Sequence, residues 1–254
     1  MKDIKQIYEE RKKDIDFCPI EDISTRFIFF VLLFEDECFY GHKGVFYKGK
    51  LLELIKENIV RIRKNLTPVG YSTITQQLIK NLYFSFEPKI LRKILESFLA
   101  IKAEKKLTKN EILELYLNVI YFDNGIYGIK NAANFYFNKE PKDLTLNQSC
   151  FLAVMLPVVG LYNPLFNPDK FISYRNKKIE KALKDKDINE KIYKEIIKHD
   201  EKCLDEELRK TSDEYLIYNK PGPMINERFG PNKKIQNWIF FIEIYFQIFV
   251  FLCS

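Results

Sequence analysis

Two short stretches of the chain carry side chains whose types and spacing could do chemistry. In the first, Glu35 and Asp36 stand directly after the apolar run 29–34, and His42 follows shortly afterwards. Carboxylates at the end of a buried segment cost free energy unless they have a task or partners. The sequence therefore leaves two readings open here, a functional acidic site and an acidic surface loop.

The second stretch, residues 70–81, crowds polar side chains at the start of a helix. Its Ser, Thr and Gln side chains offer neutral donors and acceptors suited to sugar hydroxyls or phosphate oxygens. The amino end of the helix adds positive potential, and Lys80 adds a full charge. An elaborate helix cap would explain Thr73 and Gln76, but it leaves Gln77 and Lys80 without a purpose.

These residues must be positioned by helices. Only 9 Gly and 10 Pro occur in 254 residues, which disfavours a many-stranded fold, and no long alternating pattern indicates a strand. Three capping boxes begin at Thr73, Thr108 and Thr145, and each predicts a helix start. A further helix is predicted over 89–106, with apolar residues on one side and charged residues on the other. The predicted fold class is mainly α.

The composition narrows the partners without naming one. Lys and Arg number 41 against 35 Asp and Glu, and the net charge of +6 suits an anionic partner such as nucleic acid, a phosphorylated ligand or anionic lipid. Nucleic acid is disfavoured because no motif of aromatic and basic residues accompanies the charge. Aromatic residues make up 15%, which makes membrane contact a candidate. The five widely spaced cysteines predict neither a disulfide framework nor a zinc site.

Two segments could meet a membrane. Residues 45–66 predict one or two amphipathic helices with a cationic face, which suits a protein surface or a membrane surface. The apolar tail 238–253 is short for a bilayer span, so an interfacial helix, a marginal span and a helix packed on the domain remain open. Residues 1–16 are charged throughout and show no signal-peptide pattern.

The chain resembles the peptidoglycan glycosyltransferases, the monofunctional enzymes and the glycosyltransferase domains of penicillin-binding proteins. Their first motif, E-D-x-x-F-x-x-H-x-G, is complete in Glu35, Asp36, Phe39, His42 and Gly44. The second motif, G-G-S-T-I-T-Q-Q-L-x-K-N, matches residues 70–81 except at Tyr71. The third, R-K-x-x-E, and the fourth, I-L-E-x-Y-L-N, match residues 92–96 and 112–118. Four motifs in register make coincidence negligible.

The resemblance implies a lysozyme-like, two-lobed helical domain over residues 22–198, preceded by a polar extension 1–21 and followed by an extension 199–254. It implies polymerisation of lipid II into β-1,4 glycan strands with release of undecaprenyl pyrophosphate, as part of cell-wall synthesis. The implied partners are lipid II, the growing glycan chain, membrane lipid and other cell-wall synthesis proteins, with no nucleic acid. Too few residues follow position 198 for a transpeptidase domain.

The resemblance also assigns roles to residues. Glu35 becomes the general base, and Glu96 is the family's second acid, which could hold a divalent metal (Mg²⁺ or Mn²⁺), orient cations or simply pair with Arg92. No organic cofactor is implied. Glu114 and Asn118 are expected to brace the groove. The implied substrate-binding residues, several of them cationic toward the pyrophosphate, are Asp36, Ser72, Gln76, Gln77, Lys80, Arg92, Lys93 and Asn163.

Four positions depart from the family pattern. Tyr71 replaces a glycine of the second motif, Pro88 stands where an arginine is usual, Leu95 replaces a lysine of the third motif, and Asp123 replaces a glycine. Two cations are therefore lost near the expected leaving group, which predicts slower chemistry.

Two alternatives stay open beside an active glycosyltransferase. One is a degenerate scaffold that binds lipid II, which the lost cations favour. The other is a lysozyme-like glycan hydrolase, which the cations and the Ser-Thr-Gln motif fit poorly. The resemblance implies action at the outer face of the cytoplasmic membrane, anchored by the apolar tail or by a span outside this sequence.

Overall fold

The computed structural model describes residues 2–46, 72–84 and 89–198, together with positions 56, 60 and 63. Within these residues the chain is helical, and its extended backbone amounts to an isolated bridge between Tyr121 and Tyr127. The helices are α1 (Ile4–Arg11), α2 (Thr25–Glu35), α3 (Ile74–Tyr83), α4 (Lys89–Ala103), α5 (Lys109–Val119), α6 (Ile129–Phe137), α7 (Leu146–Met155), α8 (Pro168–Lys184) and α9 (Glu190–Ile197).

The core is built around α2, α5 and α7. Helix α2 packs along α7, while α3 packs against both α4 and α5. Phe27, Phe30 and Val31 of α2 are fully buried, as are most residues of α5 and α7. Burial of this apolar surface supplies the main driving force for folding and fixes the end of α2, which carries Glu35, beside α3.

Capping boxes start three of the helices as predicted. Thr73, Thr108 and Thr145 each accept a hydrogen bond from the backbone three residues on, and the Gln or Glu there bonds back to the cap. These reciprocal bonds satisfy backbone N–H groups that the first helical turn leaves without partners. The cap at Thr73 matters most for the site, because it fixes where α3 begins.

The N-terminal segment is part of the packed core. Glu114 accepts hydrogen bonds from the Tyr8 hydroxyl (2.6 Å) and the Ile20 amide (2.7 Å). Asn118 accepts from the Cys18 amide (2.7 Å) and donates to the Cys18 carbonyl (2.8 Å). Both side chains on α5 thus use their polar atoms to hold this segment, whereas the role expected for them from the sequence was to brace the groove.

Helix α4 turns a charged residue inward. Glu96 is buried with 2% of its surface exposed, whereas Phe98 and Ile101 expose 48% and 38%. Phe98 and Ile101 belong to the apolar side predicted from the sequence, yet they are exposed, while Leu95 and Leu99 pack against the core. This orientation brings the carboxylate of Glu96 toward α3 and leaves an apolar patch, Phe98 and Ile101, on the outside.

Asp123 shows why glycine is usual at its position. Its backbone adopts φ of 66°, in the left-handed region. Asp and Asn tolerate this region better than most residues, because their short polar side chains bond locally. The Asp123 carboxylate accepts a hydrogen bond from the Gly160 amide at 3.2 Å, so the substitution is accommodated.

Gly44 is expected to tolerate no side chain. Its φ is +90°, and a Cβ there would lie 2.7 Å from the backbone carbonyl of Ala100 on α4. We expect Gly44→Ala to lower the free energy of unfolding by about 2–3 kcal/mol, through backbone strain and displacement of α4.

Gly41→Ala is the matched control, since a Cβ at that position would meet nothing within 4 Å. Thermal denaturation of both variants checks the prediction. Equal melting temperatures for the two would contradict the close approach of Gly44 to α4.

Several predicted features lie outside the described residues. These are Tyr71, Pro88, most of the helices predicted over 45–66, and the apolar tail 238–253. In the part that is described, none of the helices is long and apolar enough to cross a bilayer.

Candidate active site

Glu35, the last residue of α2, is the centre of the candidate site. Its Oε2 accepts a hydrogen bond from Nε2 of Gln77 at 2.7 Å, while Oε1 is buried without a partner among the described residues. Burial raises the pKa of Glu35, and the negative charge of Asp36 adds to this rise. The hydrogen bond from Gln77 opposes it, as do the positive charges of Lys178 and Lys80. A buried carboxyl group with a raised pKa and one uncommitted oxygen has the properties of a proton acceptor.

Gln77 is itself held in place from α5. The hydroxyl of Tyr116 donates a hydrogen bond to Oε1 of Gln77 at 3.0 Å, and Tyr116 is fully buried. The Gln77 amide group must therefore present its NH₂ to Glu35, since its oxygen is already engaged. Tyr116 thus orients Gln77, and Gln77 orients the carboxylate.

Asp36 and His42 tie the loop after α2 to the start of α3. Oδ2 of Asp36 accepts from Nε2 of His42 at 2.8 Å and from the Ile74 amide at 2.9 Å. Nδ1 of His42 accepts from the Gly44 amide at 3.1 Å, which places the ring proton on Nε2. Asp36 is buried, so these contacts position Glu35 and α3 relative to each other.

Cationic side chains gather around Glu96, and one of them, Lys80, also acts on Glu35. Arg92 and Lys93 approach Glu96 at 3.0 Å and 3.1 Å, and Lys93 also donates a hydrogen bond to Ser72. Lys80 forms no ion pair with a described residue. Partial burial lowers the pKa of Lys80, with Arg92 and Lys93 acting in the same direction and Glu96 opposing them.

The described residues do not fit a divalent metal at Glu96. Both of its carboxylate oxygens face cations, and within the described ranges no three His, Cys, Asp or Glu side chains converge on one point. Mg²⁺ can be held by one or two carboxylates with substrate phosphates, so it is the positive charge of Arg92 and Lys93 on both Glu96 oxygens that opposes a metal there. Glu96 instead acts as the shared anion that holds Arg92 and Lys93 on α4.

Two of the sequence-predicted residues have their polar groups engaged inside the protein. Gln76 is buried, bonds the Thr73 amide through Oε1 at 3.0 Å and donates to Ser97 at 2.8 Å. Asn163 donates to Asn124 at 2.8 Å and accepts from the Leu165 amide at 2.9 Å. The structure therefore brings Glu35, Gln77 and Lys80 together with the Ser72 and Arg92 group, and places Asn163 in a separate cluster.

Two residues of the site were not among those predicted from the sequence. Tyr116 belongs to the fourth motif, but nothing in that motif indicates a contact with Gln77. Lys178 lies on α8 among many other lysines, so its approach to Glu35 has no signal in the sequence. Both contacts depend on helix packing between distant parts of the chain.

Removing the charge of Glu35 is expected to stabilise the fold at neutral pH. The pKa of Glu35 is raised above its unfolded value of about 4.3. The folded protein therefore binds more protons than the unfolded one as pH rises past about 4, and stability falls until the folded pKa is passed. Glu35→Gln should raise the melting temperature at pH 8 and have little effect near pH 4.

Calorimetry of wild type and Glu35→Gln across this pH range checks the sign. Glu37→Gln is the control, since Glu37 is an exposed carboxylate two residues away. A melting temperature that falls in Glu35→Gln at pH 8 would show that the ionised carboxylate stabilises the fold.

The chain is similar to known proteins over most of its length. The family model described as Transglycosylase matches residues 2–183, so the chain belongs to the transglycosylase family. Penicillin-binding protein 4 of Bacillus subtilis is 38% identical over 205 residues, 80% of this chain and 32% of that protein. Penicillin-binding protein 1A of Aquifex aeolicus is 34% identical, over 81% of this chain and 29% of the relative.

Two further proteins are similar to parts of this chain. Penicillin-binding protein 1A of Escherichia coli is 37% identical over 71% of this chain and 20% of its own length. A crystal structure of penicillin-binding protein 1A from Haemophilus influenzae is 30% identical with a TM-score of 0.34, covering 39% of this chain and 14% of that chain. The chain thus spans a third or less of the curated relatives named here.

Membership of the family confirms two predictions made from the sequence. The chain belongs to the family that its four motifs resemble, and its described residues have the predicted mainly α fold class. The limits predicted for the domain and its two extensions stay predictions. The family match begins at residue 2, which agrees with the packing of the N-terminal segment on α5.

Proposed function

We propose that this chain polymerises lipid II into β-1,4 glycan strands and releases undecaprenyl pyrophosphate. The observation that carries the proposal is the carboxyl group of Glu35, with one oxygen held by Gln77 and the other uncommitted, beside a group of cations. A single proton acceptor and a set of cations are sufficient for this reaction, because pyrophosphate leaves without a proton when positive charge neutralises it.

The chemical step assigns one role to each group. Oε1 of Glu35 takes the proton of the acceptor's GlcNAc 4-hydroxyl as that oxygen bonds to the anomeric carbon of the donor's MurNAc. The bond from this carbon to the pyrophosphate breaks, and its electron pair leaves with the phosphate oxygen. Attack from the opposite face converts the α-linked donor into a β-1,4 product. Lys80, Arg92 and Lys93 stabilise the charge on the leaving group.

The remaining predicted site residues divide into two groups. Ser72 and Gln77 lie with these cations and are proposed to contact sugar or phosphate oxygens. Asp36 and Gln76 are proposed as positioning residues, because their polar atoms hold α3 in place. Asn163 is proposed to shape the substrate groove from the Asn124 cluster.

We propose that the reaction takes place at the outer face of the cytoplasmic membrane. The exposed pair Phe98 and Ile101 on α4 supports contact with lipid, since exposed apolar side chains beside basic ones suit a membrane interface. Lipid substrate would then reach the cations of α4 from this side. Cell-wall synthesis proteins are the proposed partners in the same compartment.

The proposal is tested with the full chain and purified lipid II in detergent. Formation of glycan polymer, digestible by muramidase, is the expected result. Binding of lipid II without polymer would instead indicate a scaffold, and release of fragments from purified cell wall would indicate a hydrolase. Either result would overturn the proposed activity.

The relay from Tyr116 to Gln77 predicts a small but specific defect. Tyr116→Phe removes one hydrogen bond of about 1 kcal/mol, so we expect kcat/KM for polymerisation to fall about fivefold. Tyr127→Phe is the control, since within the described residues the Glu35 network runs through Gln77 and Tyr116 and does not include the Tyr127 hydroxyl. Steady-state rates of both variants, with melting temperatures measured in parallel, check this. Equal rates would show that Gln77 needs no support from α5.

A further inference from the structure

Lys178 of α8 reaches the end of α2 that carries Glu35. Its Nζ lies 6.0 Å from the ring centre of Phe34, the residue before Glu35, and 5.8 Å from that of Tyr174. The two aromatic faces attract the ammonium group and limit its positions. Lys178 is thereby held over the last turn of α2 from a helix that contributes no other group to the reaction proposed above.

The end of α2 needs such a charge. A helix carries partial negative charge at its carboxyl end, so an ionised Glu35 is disfavoured there, and burial and Asp36 disfavour it further. The groups that face Glu35 are Lys178, Lys80, Asp36 and the hydroxyls of Tyr116 and Tyr174. Among the described residues, Lys178 and Lys80 are the groups that favour the ionised carboxylate by charge.

The two lysines stand in different surroundings. Lys80 shares its electrostatic environment with Arg92, Lys93 and Glu96, the group assigned to the leaving pyrophosphate. Lys178 interacts with Glu35 and with Lys181, and Lys181 is already paired with Asp185. Burial lowers the pKa of Lys178 and Glu35 opposes this, while no described carboxylate forms an ion pair with it. Lys178 therefore faces the base and not the leaving group.

We propose that Lys178 is a positioning residue of the transfer site, the permanent counter-charge of the Glu35 carboxylate while substrate engages Lys80. The inference rests on the proposed function and deepens it. A bound pyrophosphate places negative charge beside Glu35 and takes up the charge of Lys80, so a base without a second cation would protonate. Lys178 supplies this second cation to Glu35, in a protein that has Leu95 where related chains have a lysine.

Direct titration of Glu35 tests the electrostatic part without any need for activity. The full chain in detergent, labelled with ¹³C at glutamate carboxyl carbons, is titrated by NMR, and Glu35→Gln assigns the signal. Lys178→Met should raise the pKa of Glu35 by roughly one unit, the low end of the effect of a nearby opposite charge. Lys177→Met, which removes an exposed lysine from the next position of α8, should leave it unchanged.

The pH profile of polymerisation tests the consequence for catalysis. In Lys178→Met the acid limb of the rate should move to higher pH by the same amount, with KM for lipid II little changed, and Lys178→Arg should restore the wild-type limb. An unchanged Glu35 pKa, or an equal shift in Lys177→Met, would overturn the proposal for Lys178. If the wild-type chain forms no polymer but Lys178→Met still raises the pKa of Glu35, the proposed function and the catalytic role of Lys178 are overturned. The electrostatic interaction between Lys178 and Glu35 then stands.

Discussion

Glu35→Gln is expected to lower the rate of lipid II polymerisation by roughly 10²–10⁴-fold, the range supplied by a general base. The amide keeps the size of the side chain and can still accept the hydrogen bond that Gln77 donates at 2.7 Å. It cannot take a proton from the acceptor hydroxyl at neutral pH. The loss should therefore fall on kcat, with binding of lipid II nearly unchanged.

Glu37→Gln separates this effect from a general loss of negative charge, since Glu37 is exposed just beyond the end of α2. Single-turnover rates and lipid II binding are measured for both variants and the wild type. If Glu35→Gln keeps more than about a tenth of the wild-type rate, a loss far below the usual contribution of a base, another group accepts the proton. If it loses binding as well, Glu35 holds substrate.

Glu35→Gln is expected to have a lower polymerisation rate and a higher melting temperature than the wild type, and the two measurements together test the role of Glu35. Burial raises the pKa of Glu35, and one of its oxygens lacks a partner in the described part of the chain. A residue placed at such a cost to stability is typical of a functional site. Lower activity with higher stability in one variant would distinguish a catalytic carboxylate from a structural one.

Local features of the fold could be predicted from the sequence because their causes are local. A capping box requires only a Thr and a Gln or Glu three residues apart, and all three predicted boxes form. The mainly α class follows from the same helix signals and from the scarcity of Gly and Pro. The types and spacing of the motif residues were sufficient to predict Glu35, Gln77 and Lys80 as site residues.

Contacts between distant helices could not be predicted in this way. The periodicity of α4 separates its charged and apolar sides but cannot say that Glu96 turns inward. Likewise Gln76 looks like a ligand for substrate in the motif, whereas packing against Ser97 engages its amide. The meeting of Lys178 with α2 depends on how α8 lies across the core, and one lysine among many gives no local sign of it.

The cation group predicts the second large effect. Arg92 and Lys93 are held by Glu96, and Lys93 also by Ser72, so part of their charge is neutralised within the protein. Lys80 is the cation of this group that forms no ion pair with a described residue. Its charge is therefore the one most available to an incoming pyrophosphate, and the lysine usual at position 95 is replaced by Leu95.

Lys80→Met should lower kcat for polymerisation by about 10²–10³-fold, comparable to removing one donor from an oxyanion site. Lys80→Arg should recover only part of the rate, because the guanidinium group differs from ammonium in shape and hydration. Lys105→Met, an exposed lysine just beyond α4, is the control for net charge. Single-turnover rates at saturating lipid II separate this loss from weaker binding.

If Lys80→Met is no slower than the control, the leaving group is neutralised by Arg92 and Lys93, and Glu96 must release them when substrate binds. The variant Glu96→Gln would then accelerate the reaction, whereas with Lys80 in the leading role it should slow the reaction by loosening both cations.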